Sequence, residues 1–259
     1  MRNGLRGARS GASWLVPATL LAVATPAAGQ KAEPLHEDDP FAADLTFGFT
    51  LTQGNSETTS LNVGATVEYL LPGHEWKASG LFLRSTDGGD ETANRGSGSA
   101  RYDFKPSDRV FLYGRFGASY NRQAGLDRRL APGLGAGYDI VRTPTFSLSL
   151  GGGLNWIHDQ FADASRTRSV FVTVGQDLSL KVNSTTELKQ SLSWSPRPDD
   201  PRDYLVRGEA ILTTALWRWI GIRFAVLDDF DSTPFVDPDT GERRSRNDLT
   251  VLTGLNLRF

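Results

Sequence analysis

An all-β fold, a transmembrane antiparallel up-and-down β-barrel of about 12 strands, is predicted by three features of the sequence. Apolar residues recur every second position in segment after segment, the connections between those segments alternate in length, and charged side chains occupy the positions between the apolar ones. Taken from the N-terminus, each part of the chain adds to that expectation.

Residues 1–29 read as a signal peptide. Arg2, Arg6 and Arg9 precede the apolar stretch from Trp14 to Ala24, and the small residues Ala27, Ala28 and Gly29 follow it, so cleavage is expected near Gly29. The apolar stretch is too short to cross a bilayer as a helix. Residues 30–43 form an acidic periplasmic linker and residues 44–259 the barrel. The chain has no cysteine, which excludes a lipid anchor at a leader cysteine, disulfides and thiolate metal sites. Removing the three leader arginines from 28 basic residues leaves 25 against 30 acidic ones, a net of −5, which argues against a nucleic-acid partner. Beyond the leader no run of eighteen apolar residues occurs, so a membrane role requires a closed sheet, which alone satisfies its backbone groups inside lipid.

The first strand shows the period plainly: Leu45, Phe47, Phe49 and Leu51 alternate with Thr46, Gly48, Thr50 and Thr52. The pattern returns at Leu61–Tyr69, Val110–Tyr120, Leu130–Ile140, Phe146–Trp156, Val170–Leu178, Leu188–Trp194, Tyr204–Leu216, Ile220–Val226 and Leu249–Phe259. Two weaker segments, Trp76–Ser85 and Arg95–Phe104, bring the count to twelve; in the first, Trp76, Ala78 and Phe82 compete with Leu81 and Leu83 for the apolar face. Pro132 falls inside one strand, where it forfeits a ladder hydrogen bond, so a bulge or a later strand start is expected there.

The even-numbered connections are short turns, for example Pro72-Gly73, Arg142-Thr143-Pro144 and Trp217-Arg218. Most odd-numbered ones read as longer and more polar: Thr86–Asn94, Asn121–Asp127, His158–Arg166, Ser195–Asp203 and Asp228–Arg246. Short turns at one end and long loops at the other match outer-membrane barrels, whose long loops are extracellular.

The face opposite the apolar one carries Arg101, Asp103, Arg115, Arg129, Asp139, Glu187, Arg207, Glu209, Arg223 and Asp229, together with Glu68, Asp177 and Lys189. Turned inside, these form a charge network in a lumen that twelve strands leave too wide for side chains to fill. Glu68, Asp103, Asp139, Asp177 and Glu187 lie toward the periplasmic end, so residual conductance is expected to favour cations. A two-sheet sandwich with a polar exterior shares the alternation. The five tryptophans after the leader, Trp76, Trp156, Trp194, Trp217 and Trp219, favour lipid, because they fall at strand ends where interfacial girdles need them.

Three stretches carry a family resemblance: Gly54-Asn55-Ser56-Glu57-Thr58-Thr59-Ser60-Leu61, the turn Pro106-Ser107-Asp108-Arg109 with Val110 to Tyr113 after it, and Gly125-Leu126-Asp127-Arg128-Arg129-Leu130-Ala131-Pro132-Gly133-Leu134-Gly135-Ala136-Gly137-Tyr138. From about Asp44 to Phe259 the chain resembles domain-of-unknown-function family 481, often labelled salt-induced outer-membrane protein. The resemblance implies a barrel in the outer membrane of a Gram-negative bacterium after Sec-type export, and supplies no activity. The terminal Phe259, with Leu257 and Leu255 before it, is similar to the signal by which the outer-membrane assembly machinery takes up its clients.

Signals for chemistry are sparse. His36 lies in the linker, His74 in a turn, and His158 beside Asp159 at the outer rim, where Ser165 or Ser169 could complete a hydrolase-like pair. Asp237, Asp239, Gly241 and Glu242 supply oxygen ligands without the full spacing of a calcium loop. No catalytic, cofactor or metal residue is therefore assigned. Three classes of role follow: a narrow channel or uptake barrel passing ions or small solutes, a structural envelope protein linked to salt or osmotic stress, and, as the alternative, a barrel enzyme acting on lipid or lipopolysaccharide.

Overall fold

The protein is seen here as a computed structural model that describes residues 40–52, 58–234, 241 and 245–259. The leader, nearly all of the linker with His36, and Asp237, Asp239 and Glu242 lie outside the described residues. Twelve strands follow one another: β1 (Phe41–Thr52), β2 (Thr58–Leu71), β3 (His74–Asp87), β4 (Asp90–Phe104), β5 (Val110–Asn121), β6 (Leu126–Arg142), β7 (Phe146–Phe161), β8 (Arg166–Lys181), β9 (Thr186–Pro196), β10 (Tyr204–Ala215), β11 (Ile220–Asp231) and β12 (Asn247–Arg258). Each pairs antiparallel with its sequence neighbours, and β1 with β12, so the sheet closes into a barrel. The barrel begins at Phe41, three residues before the boundary read from the sequence.

Alternation sorts the side chains as the period requires. Phe49 is 58% exposed and Val251 56%, while on the other face Asn155 is 4% and Asn256 2% exposed. Polar groups line the inside and most large apolar ones face outward, and among the described residues no large side chain is completely buried. That is the reverse of a soluble sandwich and the arrangement of a transmembrane barrel. Aromatic rings gather at both ends of the apolar band. Trp76 and Tyr102 lie 4.4 Å apart near the turn end, with Trp217 and Trp219 in the β10–β11 turn, and Tyr204 stacks on Phe230 at 5.8 Å near the opposite rim.

The register settles the face of β3. Tyr69 opposes Trp76 and Val63 opposes Phe82, so Trp76, Ala78 and Phe82 face lipid, and Leu81 and Leu83 turn inward.

The loop alternation is much weaker than the sequence suggests. Strands β3 and β4 meet in a two-residue turn, Gly88-Gly89, with φ of +57° and +93°, conformations that favour glycine. The β5–β6 and β7–β8 connections shrink to residues 122–125 and 162–165, so His158 belongs to β7 and not to a loop; only 197–203 and 232–246 are long. The physical reason is that a strand needs about 9–11 residues to cross the hydrocarbon, whereas β6 has 17 and β7 16. Beyond the bilayer both faces are wet, so pairing continues without an apolar period to reveal it.

Pro132 is accommodated without the expected bulge. β6 runs through it opposite Phe116 of β5, while pairing with β7 lapses at Ala131 and Pro132 and resumes in the same register at Gly133–Asn155. The irregularities of β6 lie elsewhere, near Leu126 and at Asp139/Val141.

Closure is uneven around the wall. β1 pairs with β2 along its whole length, but with β12 only from Asp44–Arg258 to Phe47–Leu255. Just below, Ala43 and Phe259 exchange backbone bonds of 3.1 and 2.8 Å, so the terminal residue belongs to the seam.

Candidate functional site

The lumen is the candidate site, and its inner wall follows from parity: every residue of the expected charge network projects inward. At the turn end the strands present acids and bases in pairs. Glu75 on β3 lies 2.6 Å from Lys77 and 2.6 Å from Lys105 in the next turn. Arg101 on β4 bonds Asp103 at 2.7 Å, and Asp44 on β1 accepts from Arg258 at 2.9 Å. At this end two contacts cross the bore. Lys189 of β9 approaches Glu68 of β2 to 3.5 Å, and Arg101 of β4 lies 3.9 Å from Asp177 of β8. Glu187 is 3.9 Å from Arg258 and 4.0 Å from Lys189. Asp139 accepts from Ser149 at 2.7 Å and lies 3.7 Å from Arg142.

Above these pairs the wall itself is shaped by glycine. Gly133, Gly135 and Gly137 occupy successive inward positions of β6, opposite Asn155, Gly153 and Gly151 of β7. A Cβ at Gly137 would fall 2.1 Å from the Phe111 ring, and one at Gly135 2.5 Å from Tyr113. The two rings therefore lie flat against a wall stripped of side chains. Arg101 covers them, its guanidinium carbon 4.4 Å from the Tyr113 centroid and 5.5 Å from that of Phe111, a cation–π arrangement that narrows the bore further.

At mid-height Arg115 donates to Asn155 at 2.8 Å, Asn155 bonds Thr173, and Thr173 meets Ser195 at 2.7 Å, a polar chain running from β5 to β9. Arg223 reaches Thr46 at 3.5 Å. Among the described residues neither Arg115 nor Arg223 has a carboxylate in ion-pair contact, and Glu209 has no base in such contact. Nearer the other rim, Arg129 and Asp159 form a two-pronged pair with both bonds at 2.7 Å. Arg207 and Asp229 meet at 2.7 Å, and Arg95 reaches Asp248 at 2.9 Å. In the β9–β10 loop Arg197 clasps Asp199 at 2.6 Å and Asp203 at 3.0 Å, and its hydrogen bonds hold the Asp199 carboxyl below the usual range.

The sequence reading omits Glu75, Lys77, Lys105, Asp44 and Arg258, because the face of β3 is ambiguous in sequence and the other three lie near strand ends or in a turn. The five acids on which a cation preference rests each have a base within 4.0 Å, namely Lys189, Arg101, Arg142 or Arg258, which weakens the ground for that preference. The unpaired mid-lumen charges are Arg115 and Arg223 against Glu209. The signal that could have located the aromatic shelf is the run of alternate glycines in β6 and β7 facing the unbroken Phe111-Leu112-Tyr113.

The hydrolase arrangement is not assembled. His158 opposes Leu130 and Arg168 on the outward face, while Ser169 opposes Ile157 on the inward one. Ser165 lies in the β7–β8 turn.

No curated protein sequence matches the chain. Among solved structures it is similar to the NanC porin, with 12% identity and a TM-score of 0.47 over 84% of this chain and 97% of that one. It is also similar to the KdgM porin in complex with disordered oligogalacturonate, with 10% identity and a TM-score of 0.45 over 84% and 99% of the two chains. The translocator domain of the autotransporter NalP from Neisseria meningitidis matches at 15% identity and a TM-score of 0.43, over 85% and 87%. The sequence model of the family described as "Protein of unknown function, DUF481" matches residues 45–259, nearly the whole barrel, and the chain belongs to that family.

Proposed function

We propose that this outer-membrane barrel is a narrow polar conduit for ions or small hydrophilic solutes, constricted at its periplasmic end by paired charges. The observation that carries the reading is the two contacts that span the bore at that end, Lys189–Glu68 and Arg101–Asp177. A twelve-strand barrel lies between the side-chain-filled eight-strand type and the open sixteen-strand porins, and these long side chains place it toward the closed limit. Water still reaches them: Lys189 and Asp177 are 44% and 62% exposed. The outward projection of His158, away from Ser169, favours a conduit over an enzyme.

In this reading the leader directs Sec-type export into a Gram-negative periplasm, and Phe259 is the handle for the assembly machinery before it closes the seam. A link to salt stress has a physical route as well, since ion pairs in a wet lumen weaken as salt screens them.

Planar-bilayer recording of the purified barrel tests the proposal. Small steps that grow when Lys189 is replaced by Met support it. Large porin-like steps from the unaltered protein, or steps unaffected by that replacement, overturn it.

A further inference from the structure

On its outer surface the wall changes character at one height in three neighbouring strands. The lipid-facing positions of β7 are apolar or glycine from Phe146 to Trp156, a span close to the 9–11 or so residues with which a strand crosses hydrocarbon. Trp156 pairs with Val170 of β8. The next pairs towards the rim opposite the chain termini are His158 with Arg168 and Gln160 with Arg166, and on the other side of β7 Leu130 and Arg128 of β6 oppose His158 and Gln160. Arg128, His158, Arg166 and Arg168 are all exposed. They make a cationic patch that begins one residue pair beyond the Trp156 ring. Arg128 donates to the Gln160 side-chain oxygen at 3.1 Å, which lays its guanidinium towards β7. Among the described residues none of the three arginines has a carboxylate in ion-pair contact. The acids nearby in sequence are engaged or turned away: Asp159 is inside the barrel on Arg129, Asp163 accepts from the Ser165 backbone at 2.8 Å, and Asp127 sits exposed at the irregularity of β6. Arg84, the other outward strand arginine towards this rim, is instead neutralised by Glu91 at 3.2 Å.

We propose that this patch binds the bisphosphorylated disaccharide head group of a glycolipid in the outer leaflet, whose acyl chains run down the β6–β8 wall beneath it. The lipid source follows from height. The arginines begin just past the interfacial Trp156, at the level of head-group phosphates, and the surface directly below them, with Leu154, Val170 and Val172, is apolar and exposed. The phosphate follows from the donors, since arginine forks match its oxygens bidentately and here have no carboxylate to occupy them. Two phosphates follow from breadth. Arg166 and Arg168 are about 6.6 Å apart along β8, and Arg128 lies two strands away, about 9–10 Å across the sheet, which is wider than one phosphate and suits two set on a disaccharide. The patch is on the outside of the barrel, so its role is independent of what the lumen passes.

The test titrates the full barrel, in detergent micelles, with bisphosphorylated lipid A and counts retained lipid by native mass spectrometry. The unaltered protein should retain the lipid several-fold more tightly than the triple variant Arg128→Gln, Arg166→Gln and Arg168→Gln; equal retention overturns the site. Arg84→Gln removes an outward arginine from the same rim and should leave retention unchanged. A loss there as large as in the triple variant would make the effect one of general surface charge and overturn the assignment. Monophosphorylated lipid A should bind several-fold more weakly, and parity between the two lipids overturns the two-phosphate reading. Millimolar inorganic phosphate should not displace the lipid; displacement would reveal a free-anion site and overturn the lipid source. If the triple variant fails to migrate as a folded barrel on an unboiled gel, Arg168→Gln alone is compared with Arg84→Gln, and equal retention by the two overturns the site.

Discussion

Arg115 bonds Asn155 at 2.8 Å although a complete strand, β6, lies between them. The residue of β6 that opposes both is Gly133, and a Cβ there would fall 2.2 Å from the Asn155 side-chain oxygen. The bond exists because that position carries no side chain. Gly133→Ala should displace Asn155, release Arg115 and destabilise the barrel by about 1–3 kcal/mol, the usual range for overpacking. Urea unfolding in lipid checks this, with Gly114→Ala as the control, since a Cβ at Gly114 meets nothing within 4 Å. Equal losses at both sites would refute the steric account.

The mid-lumen arginines should set what selectivity the conduit has. With the periplasmic acids paired, Arg115 and Arg223 outweigh Glu209, so reversal potentials in a salt gradient should show a weak preference for anions. Arg115→Ala should enlarge the steps and abolish the preference. A cation preference in the unaltered protein would sink this assignment.

Conductance should also rise faster than the bulk conductivity of the bathing salt. The screening length falls from about 8 Å at 0.15 M to about 3 Å at 1 M, and Lys189–Glu68 and Arg101–Asp177, at 3.5 and 3.9 Å, are long enough to loosen over that range. Strict proportionality between conductance and salt would show that the pairs do not gate the bore.

Facing can be tested at one outward and one inward position. Val172 projects into lipid, and Arg in its place should hinder insertion by about 2–4 kcal/mol if it lies near the midplane. Ser149 projects inward and donates to Asp139 at 2.7 Å, so Arg there gains a carboxylate neighbour and should fold almost normally. Heat-modifiability on denaturing gels reads both, and equal penalties would reverse the assignment.

The β9–β10 loop gives a pH prediction. Arg197 lowers the Asp199 pKa relative to the unfolded chain, so the clasp contributes fully above the ordinary aspartate range. That contribution declines as pH falls below the ordinary value and is gone once pH has passed through the lowered one. An acid-active protease should cleave the loop progressively faster as pH falls from the ordinary aspartate range in the unaltered protein, and fast without that dependence in Arg197→Met. Identical profiles would mean that the clasp does not hold the loop.

Strand number, the lipid-facing residues and most of the lumen charges were legible because one face meets hydrocarbon and the other water, which imposes a two-residue period. Legibility ended where that contrast ends. Asp90 to Asn94 read as loop because both faces of β4 are wet there, and His158 read as loop for the same reason. Bases such as Lys105 and Arg258 were harder to place, because their relevance depends on partners brought together by closure of the sheet. The short pairing of β1 with β12, from Asp44–Arg258 to Phe47–Leu255, leaves no mark in composition.

The contact between Lys189 and Glu68 also has a mechanical side. Between β2 and β9 the shorter way around the wall passes through β1, β12, β11 and β10, every step of it hydrogen-bonded sheet. The side-chain contact joins the same two strands directly, as a tie-rod joins facing walls, and Arg101–Asp177 does so between β4 and β8. A tube tied in this way resists being pressed into an oval, and a load on one flank reaches the other without travelling the circumference.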